Sequence, residues 1–184
     1  MTSPAVTWSA LATVLEIDDL IAAGDRILGL PRALATPDEI DRAMSEHGPR
    51  RGAVRLRTAR PHLRANVYSR RETFVRLLIV RAGLPEPEPN GWILLSSGRR
   101  ARGDLVFRRE GVLLEYDGEQ HLFDASQWAT DVDRLNDLAQ DEWRVIRITR
   151  RTPPAEVVAR TRRALVDRGW NGEAIPREDE IGRR

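Results

Sequence analysis

The chain has 184 residues, with 41% apolar and 32% charged side chains, enough for one packed core with a small accessory lobe. No run reaches the roughly 18 apolar residues that would span a bilayer, and the start, MTSPAVTW, lacks the basic and apolar segments of a secretory leader. There is no cysteine, which excludes disulfides and thiolate zinc sites and fits a cytoplasmic location.

Net charge is only +2, yet its distribution is uneven, and every basic residue is arginine. Arg50, Arg51, Arg55, Arg57, Arg60, Arg64, Arg70, Arg71 and Arg76 face one acid, Glu72, in the stretch 50–76. From Glu110 to Glu142 the balance inverts, with ten acids against Arg134 alone. From Trp143 to Trp170 arginine dominates again. Carboxylates between two basic flanks are what a phosphodiester-cleaving protein needs: arginines for phosphates, acids for a metal. Solvated surface faces are the plainer reading of each run taken singly.

In chain order, residues 8–30 carry a loose 3.6-residue apolar period ended by Gly29 and Pro31, which predicts a helix. Thr36-Pro37-Asp38-Glu39 starts a second, with Ile40, Ala43, Met44 and His47 inward. Residues 52–66 read as a short arginine-rich helix, closing a helical lead-in over 1–66. The helix opening at Ser69 is apolar on most sides and stops at Gly83 and Pro85. After the loop 85–91, strands are expected at 92–95, 104–108 and 112–117, the last two forming a hairpin. A helix over 126–141, a strand over 143–149 and a helix from Pro154 to about Arg168 complete an α-β-β-β-α-β-α order, a mixed α/β domain over 69–170. The tail 171–184 is polar and expected to be mobile.

That hairpin brings Asp104 toward Glu115, and Asp117 shares a strand face with Glu115 about 6.5–7 Å along. Three converging carboxylates repel without a cation. Oxygen-only ligands suit Mg²⁺ or Mn²⁺, and such a metal would lower the pKa of a bound water and stabilise a leaving oxygen. An exposed strand face with Asp117-Gly118 as a turn is the alternative.

Four segments in order, RRETFVRLLIVRAGLPEPEPN, GDLVF, VLLEYDGEQH and DVDRLNDLAQDEWRVIRIT, resemble the very-short-patch-repair-like branch of the restriction-endonuclease superfamily. The resemblance spans roughly 69–152 and is nearest to the domain family of unknown function five-five-nine. LEIDDLIAAGDRIL is similar to a segment upstream of that domain in actinobacterial proteins related to AbiEi-type antitoxins; a larger N-terminal winged-helix part is frequent there, and against it the chain is expected to be a short natural version or a fragment. The resemblance implies a restriction-endonuclease-like core, Mg²⁺ or Mn²⁺ on Asp104 and Glu115, and a nucleic-acid substrate, DNA ahead of RNA. Asp117 stands where the superfamily's lysine would be, and no lysine exists elsewhere to replace it. His121 falls near a histidine of the very-short-patch-repair enzymes and would move protons, or is a surface residue past a turn. Gln120 would orient water. Glu72 matches a glutamate of the family's first helix, and Ser69-x-x-Glu72 is equally a capping box. Asp131 and Arg134 are placed near the site, or form an ordinary i,i+3 ion pair. Arg50, Arg51, Arg55, Arg57, Arg60 and Arg64 are expected on phosphates.

The function expected is a divalent-metal endonuclease. The alternatives are a binding or regulatory protein on the same scaffold, and a protein-interaction module, with a homodimer or a protein partner open to each.

Overall fold

The structure is a computed structural model; it describes residues 2–29, 31–117 and 125–173, and within 125–130 the backbone alone. Contacts divide the chain into a helical unit, residues 1–77, and a sheet unit, residues 78–184.

The helical unit holds α1 (Pro4–Leu11), α2 (Ile17–Leu28), α3 (Pro37–His47) and α4 (Ala53–Ala59), a one-turn 3₁₀ helix at Arg60–His62, and the opening turns of α5 (Arg70–Arg81). The single helix expected over 8–30 is two. Ser3 accepts from the Val6 N–H and Pro4 opens α1, so the first helix begins before the apolar period does. It stops at Leu11, and the Trp8 indole N–H then donates to the Leu20 carbonyl at 2.8 Å, pinning α1 against α2. Thr36 and Glu39 form a reciprocal capping box on α3. Trp8, Leu20, Ile21, Ile40 and Leu56 make the core. The expected helix at Ser69, apolar on most sides, is α5, and its buried side includes a charge: Arg76 lies inside with 1% of its side chain exposed.

The sheet unit holds β1 (Glu88–Leu94), β2 (Arg100–Phe107), β3 (Val112–Tyr116), α6 (Ala125–Gln140), β4 (Arg144–Ile148) and α7 (Pro154–Asp167). The strands lie in the order β1-β2-β3-β4 in one mixed sheet, β1/β2 and β2/β3 antiparallel and β3/β4 parallel. This is a mixed α/β unit with an open sheet. Strand β1 starts earlier than expected, because pairing with β2 extends the residues 88–91 that Pro89 and Gly91 mark as loop in isolation. One face of the sheet buries Ile93, Ala101, Val106 and Leu113 against Leu138 of α6. On the other, α7 packs on β3 and β4 and buries Val157, Thr161 and Leu165. Among the described residues no helix is long and apolar enough to cross a membrane.

The regular alternation breaks at one level. Asn90 of β1 and Asp104 of β2 stand opposite each other and drop out of the pairing, and Asn90 takes φ 51°. A Cβ on Gly103 would meet the Leu113 side chain, so Ala101, Gly103 and Val106 share a face: the side-chain alternation flips between Gly103 and Val106, while the β1/β2 register is the same on both sides. Asp104 sits where the alternation flips.

Candidate functional site

The β2/β3 ladder runs from Phe107–Val112 to Leu105–Leu114 and stops there. The next level would hold Asp104 and Glu115. Asp104 turns its carboxylate toward β3, and its Oδ2 accepts the Tyr116 N–H at 2.8 Å, replacing a carbonyl rung. Glu115 projects from β3 onto the α6 side and is 8% exposed.

The partner of Glu115 is Arg134. Its Nη1 donates to Oε1 at 2.5 Å and its Nη2 to Oε2 at 2.9 Å, a two-pronged pair. Nη1 also reaches the Arg102 carbonyl at 3.4 Å. The Glu115 hydrogen bonds raise the Arg134 pKa above its ordinary value; burial works against this, and the charges of Glu115, Asp131 and Asp104 add to the rise. Asp104, Glu115 and Asp131 therefore all act on one guanidinium. The opposite charge that makes the carboxylate cluster tolerable is carried by α6. Its i,i+3 relation to Asp131 is present as an electrostatic contact, but the strong bond goes to Glu115, 19 residues away.

Asp117 follows the end of β3. Its N–H donates to the Ile148 carbonyl at 2.7 Å, and its carboxylate faces Arg147 at 3.7 Å with 38% of the side chain exposed. His121 and Gln120 lie outside the described residues. Glu72 is in the helical unit, where its Oε2 accepts the Tyr68 N–H at 3.0 Å and its Oε1 the Ser69 hydroxyl at 2.8 Å; the Glu72 N–H in turn donates to Ser69. That is a cap geometry, one residue wider than the usual box on the Glu72 side.

The donor chemistry of Asp104 and Glu115 fits Mg²⁺ or Mn²⁺, which one or two carboxylates hold together with waters and substrate phosphates. Both Glu115 oxygens are engaged by Arg134, and among the described residues no group of three His, Cys, Asp or Glu side chains gathers to hold a metal. A cation at this place competes with the guanidinium.

The arginines of 50–64 divide into two sorts. Arg60 is clamped two-pronged on Asp41 at 2.6 and 2.7 Å, and Arg64 donates to the Pro61 and Leu63 carbonyls. Both serve the local fold. Arg50, Arg51, Arg55 and Arg57 line an open cleft of about 470 Å³ beside Ala12 and Thr13. Within it Arg50 bonds the His47 and Glu46 carbonyls and Arg55 lies 3.8 Å from Glu16, while Arg51 and Arg57 are exposed.

Two features escaped the sequence reading. The first is Asn90, buried where the alternation flips, opposite Asp104; its place after Pro89 and before Gly91 read as a loop. The second is Asp25, wholly buried, whose carboxylate accepts from Arg76 at 2.8 Å, from the Thr73 hydroxyl at 2.8 Å and from the Arg64 N–H at 2.7 Å. The one available signal was an acid on the apolar stripe of α2, four positions before Gly29. Compared with family models, with curated proteins and with solved structures, the chain gives no match.

Proposed function

We propose that the sheet unit hydrolyses phosphodiester bonds in nucleic acid, DNA ahead of RNA, as a divalent-metal endonuclease of restriction-endonuclease-like type. One observation carries the reading: Asp104 and Glu115 come from adjacent strands to the level where the ladder ends, Glu115 buried and Asp104 half-buried, with the Arg134 guanidinium opposing their charge. Carboxylates gathered at a break in a sheet cost stability unless they serve a charged partner. The four-motif resemblance supports the same assignment. Mg²⁺ or Mn²⁺, when bound by Asp104 and Glu115, would supply an activated water and charge for the leaving oxygen. Asp104 is fixed in direction by the Tyr116 N–H, and Asp117 adds negative charge beside Arg147. Arg51 and Arg57 are the arginines whose exposure suits phosphate contact.

A second reading, a nucleic-acid-binding or regulatory protein on the same scaffold, draws on the two-pronged Arg134 bond that closes Glu115 and on the missing lysine. Supercoiled plasmid incubated with Mg²⁺ or Mn²⁺ separates the two. Nicking by the wild type that falls at least about 100-fold in Asp104→Ala is the expected result. Plasmid retardation without nicking, unchanged in Asp104→Ala, supports the second reading and rejects the first.

A further inference from the structure

The outward face of the β1–β2 hairpin breaks the pattern its strands otherwise keep. Outward positions of a half-buried hairpin are ordinarily polar. Here Trp92 is 58% exposed and Leu94 73% exposed, while Ile93 between them is buried in the core on the α6 side. Their cross-strand partners are arginines: Trp92 pairs with Arg102 and Leu94 with Arg100. The Arg102 guanidinium lies over the Trp92 ring, 5.9 Å from its centre, at the outer limit of a cation–π contact.

The ends of the hairpin are fixed. Arg108 donates to the Trp92 carbonyl at 3.1 Å and is paired with Glu88. At the turn, Ser96 bonds Asp141 and Arg99 pairs with Asp137, both acids lying on or just after α6. Glu88 and Asp137 are thus matched to Arg108 and Arg99 and Asp141 to Ser96, and Arg100 forms no ion pair among the described residues. The Trp92 indole and the Arg100 and Arg102 side chains share one face, Arg102 lying two residues along β2 from Asp104.

We propose that this face is a stacking platform for unpaired bases of a single-stranded nucleic acid, with Trp92 taking the base and Arg100 and Arg102 the flanking phosphates. Charge decides the occupant. An apolar protein partner wants a contiguous greasy patch with charge excluded from its centre, whereas here the two apolar side chains alternate with guanidiniums. Aromatic stacking interleaved with arginine is the pattern of sequence-tolerant single-strand binding. A closed duplex hides its base faces and offers nothing to the indole. The platform rests on the nucleic-acid reading above and extends it: substrate presenting unpaired bases beside Asp104 is held there.

The test is fluorescence anisotropy of labelled dT12, U12 and a blunt 12-base-pair duplex with the full chain in EDTA, where no cleavage intervenes. Wild type is expected to bind the single strands more tightly than the duplex. Trp92→Ala should weaken single-strand binding about 5- to 100-fold, Trp92→Phe should restore most of it, and duplex binding should move less than about 2-fold. Arg102→Ala should lower the affinity and flatten its salt dependence. Equal binding of U12 and dT12 assigns the platform to either nucleic acid; preference for one names the source. Circular dichroism of Trp92→Ala checks that the exposed site leaves the fold intact. No single-strand binding by wild type, or an affinity unchanged in Trp92→Ala, overturns the platform. So does a wild-type dimer that Trp92→Ala dissociates without affecting single-strand binding, since a second copy then covers the face. Nicking that persists in metal while the platform fails leaves the nuclease reading standing; intact stacking without nicking does the reverse.

Discussion

Asp25 with Arg76 in the helical unit and Glu115 with Arg134 in the sheet unit are the same chemical pair in two settings. The first is closed to water, with 0% and 1% of the side chains exposed. Its acid is shared among Arg76, Thr73 and the Arg64 N–H, and Arg76 is shared with the His62 carbonyl. The second is partly open, 11% and 23% exposed, and among the described residues the bonds of its acid go to one guanidinium. A buried pair with several partners cannot exchange any of them without stranding a charge, so it fixes geometry. A pair at the margin, with other carboxylates nearby, can trade its cation for another. Burial therefore separates a strut from a candidate site, where residue type does not.

The contrast breaks most visibly on removing each cation. Arg76→Met leaves Asp25 buried with its main charge partner gone, and should cost about 3–5 kcal/mol in urea unfolding. A cost under about 1 kcal/mol would show that the pair is no strut. Glu115→Gln keeps the shape and loses the charge-assisted bonds, for about 1–3 kcal/mol by the same measurement. Arg134→Met sharpens the other half: with the guanidinium gone, Mg²⁺ should raise the melting temperature of the variant more than that of the wild type. If Mg²⁺ moves neither protein, Asp104 and Glu115 do not form a cation site.

Titration gives a smaller effect with a defined sign. Burial raises the Asp25 pKa above its usual value, although Arg76, Arg64 and Thr73 pull it down. A group with a raised folded pKa stabilises fully below its unfolded pKa, and that contribution is lost as pH rises through the folded pKa. Wild type should therefore lose stability relative to Asp25→Asn as pH climbs from about 4, read as the difference between their melting temperatures. A gain in that direction would refute the assignment. The smallest effect belongs to Arg60. Its bonds lower the Asp41 pKa, so the pair stabilises above the ordinary carboxylate range and the contribution is lost as pH falls through the lowered value. Since Asp41 is half exposed, Arg60→Ala should cost no more than about 1 kcal/mol near neutral pH.

The start of α3 was legible because capping is local. Thr36 and Glu39 are three residues apart, and their reciprocal bonds follow from spacing alone. The hairpin that carries Asp104 and Glu115 was legible for the same reason, with Gly111 supplying the positive φ of its turn. The first half of β1 was not, since Glu88, Pro89 and Gly91 join the strand by pairing with β2 and not by their own preference. The assignment of six arginines to phosphate treated them as one class. Arg60 is held by Asp41, 19 residues away, and the Arg64 guanidinium by carbonyls that it meets only because the chain turns back on itself there.

What the sequence determined by itself is the order of elements and the placement of two acids on neighbouring strands. Periodicity, caps and a tight turn are short-range properties, read within a few residues. Tertiary structure alone decided which cation meets those acids and which pair is sealed from water. Arg134 reaches Glu115 across 19 positions and Arg76 reaches Asp25 across 51. Burial and charge pairing at such separations depend on how whole faces pack, and no local pattern encodes that.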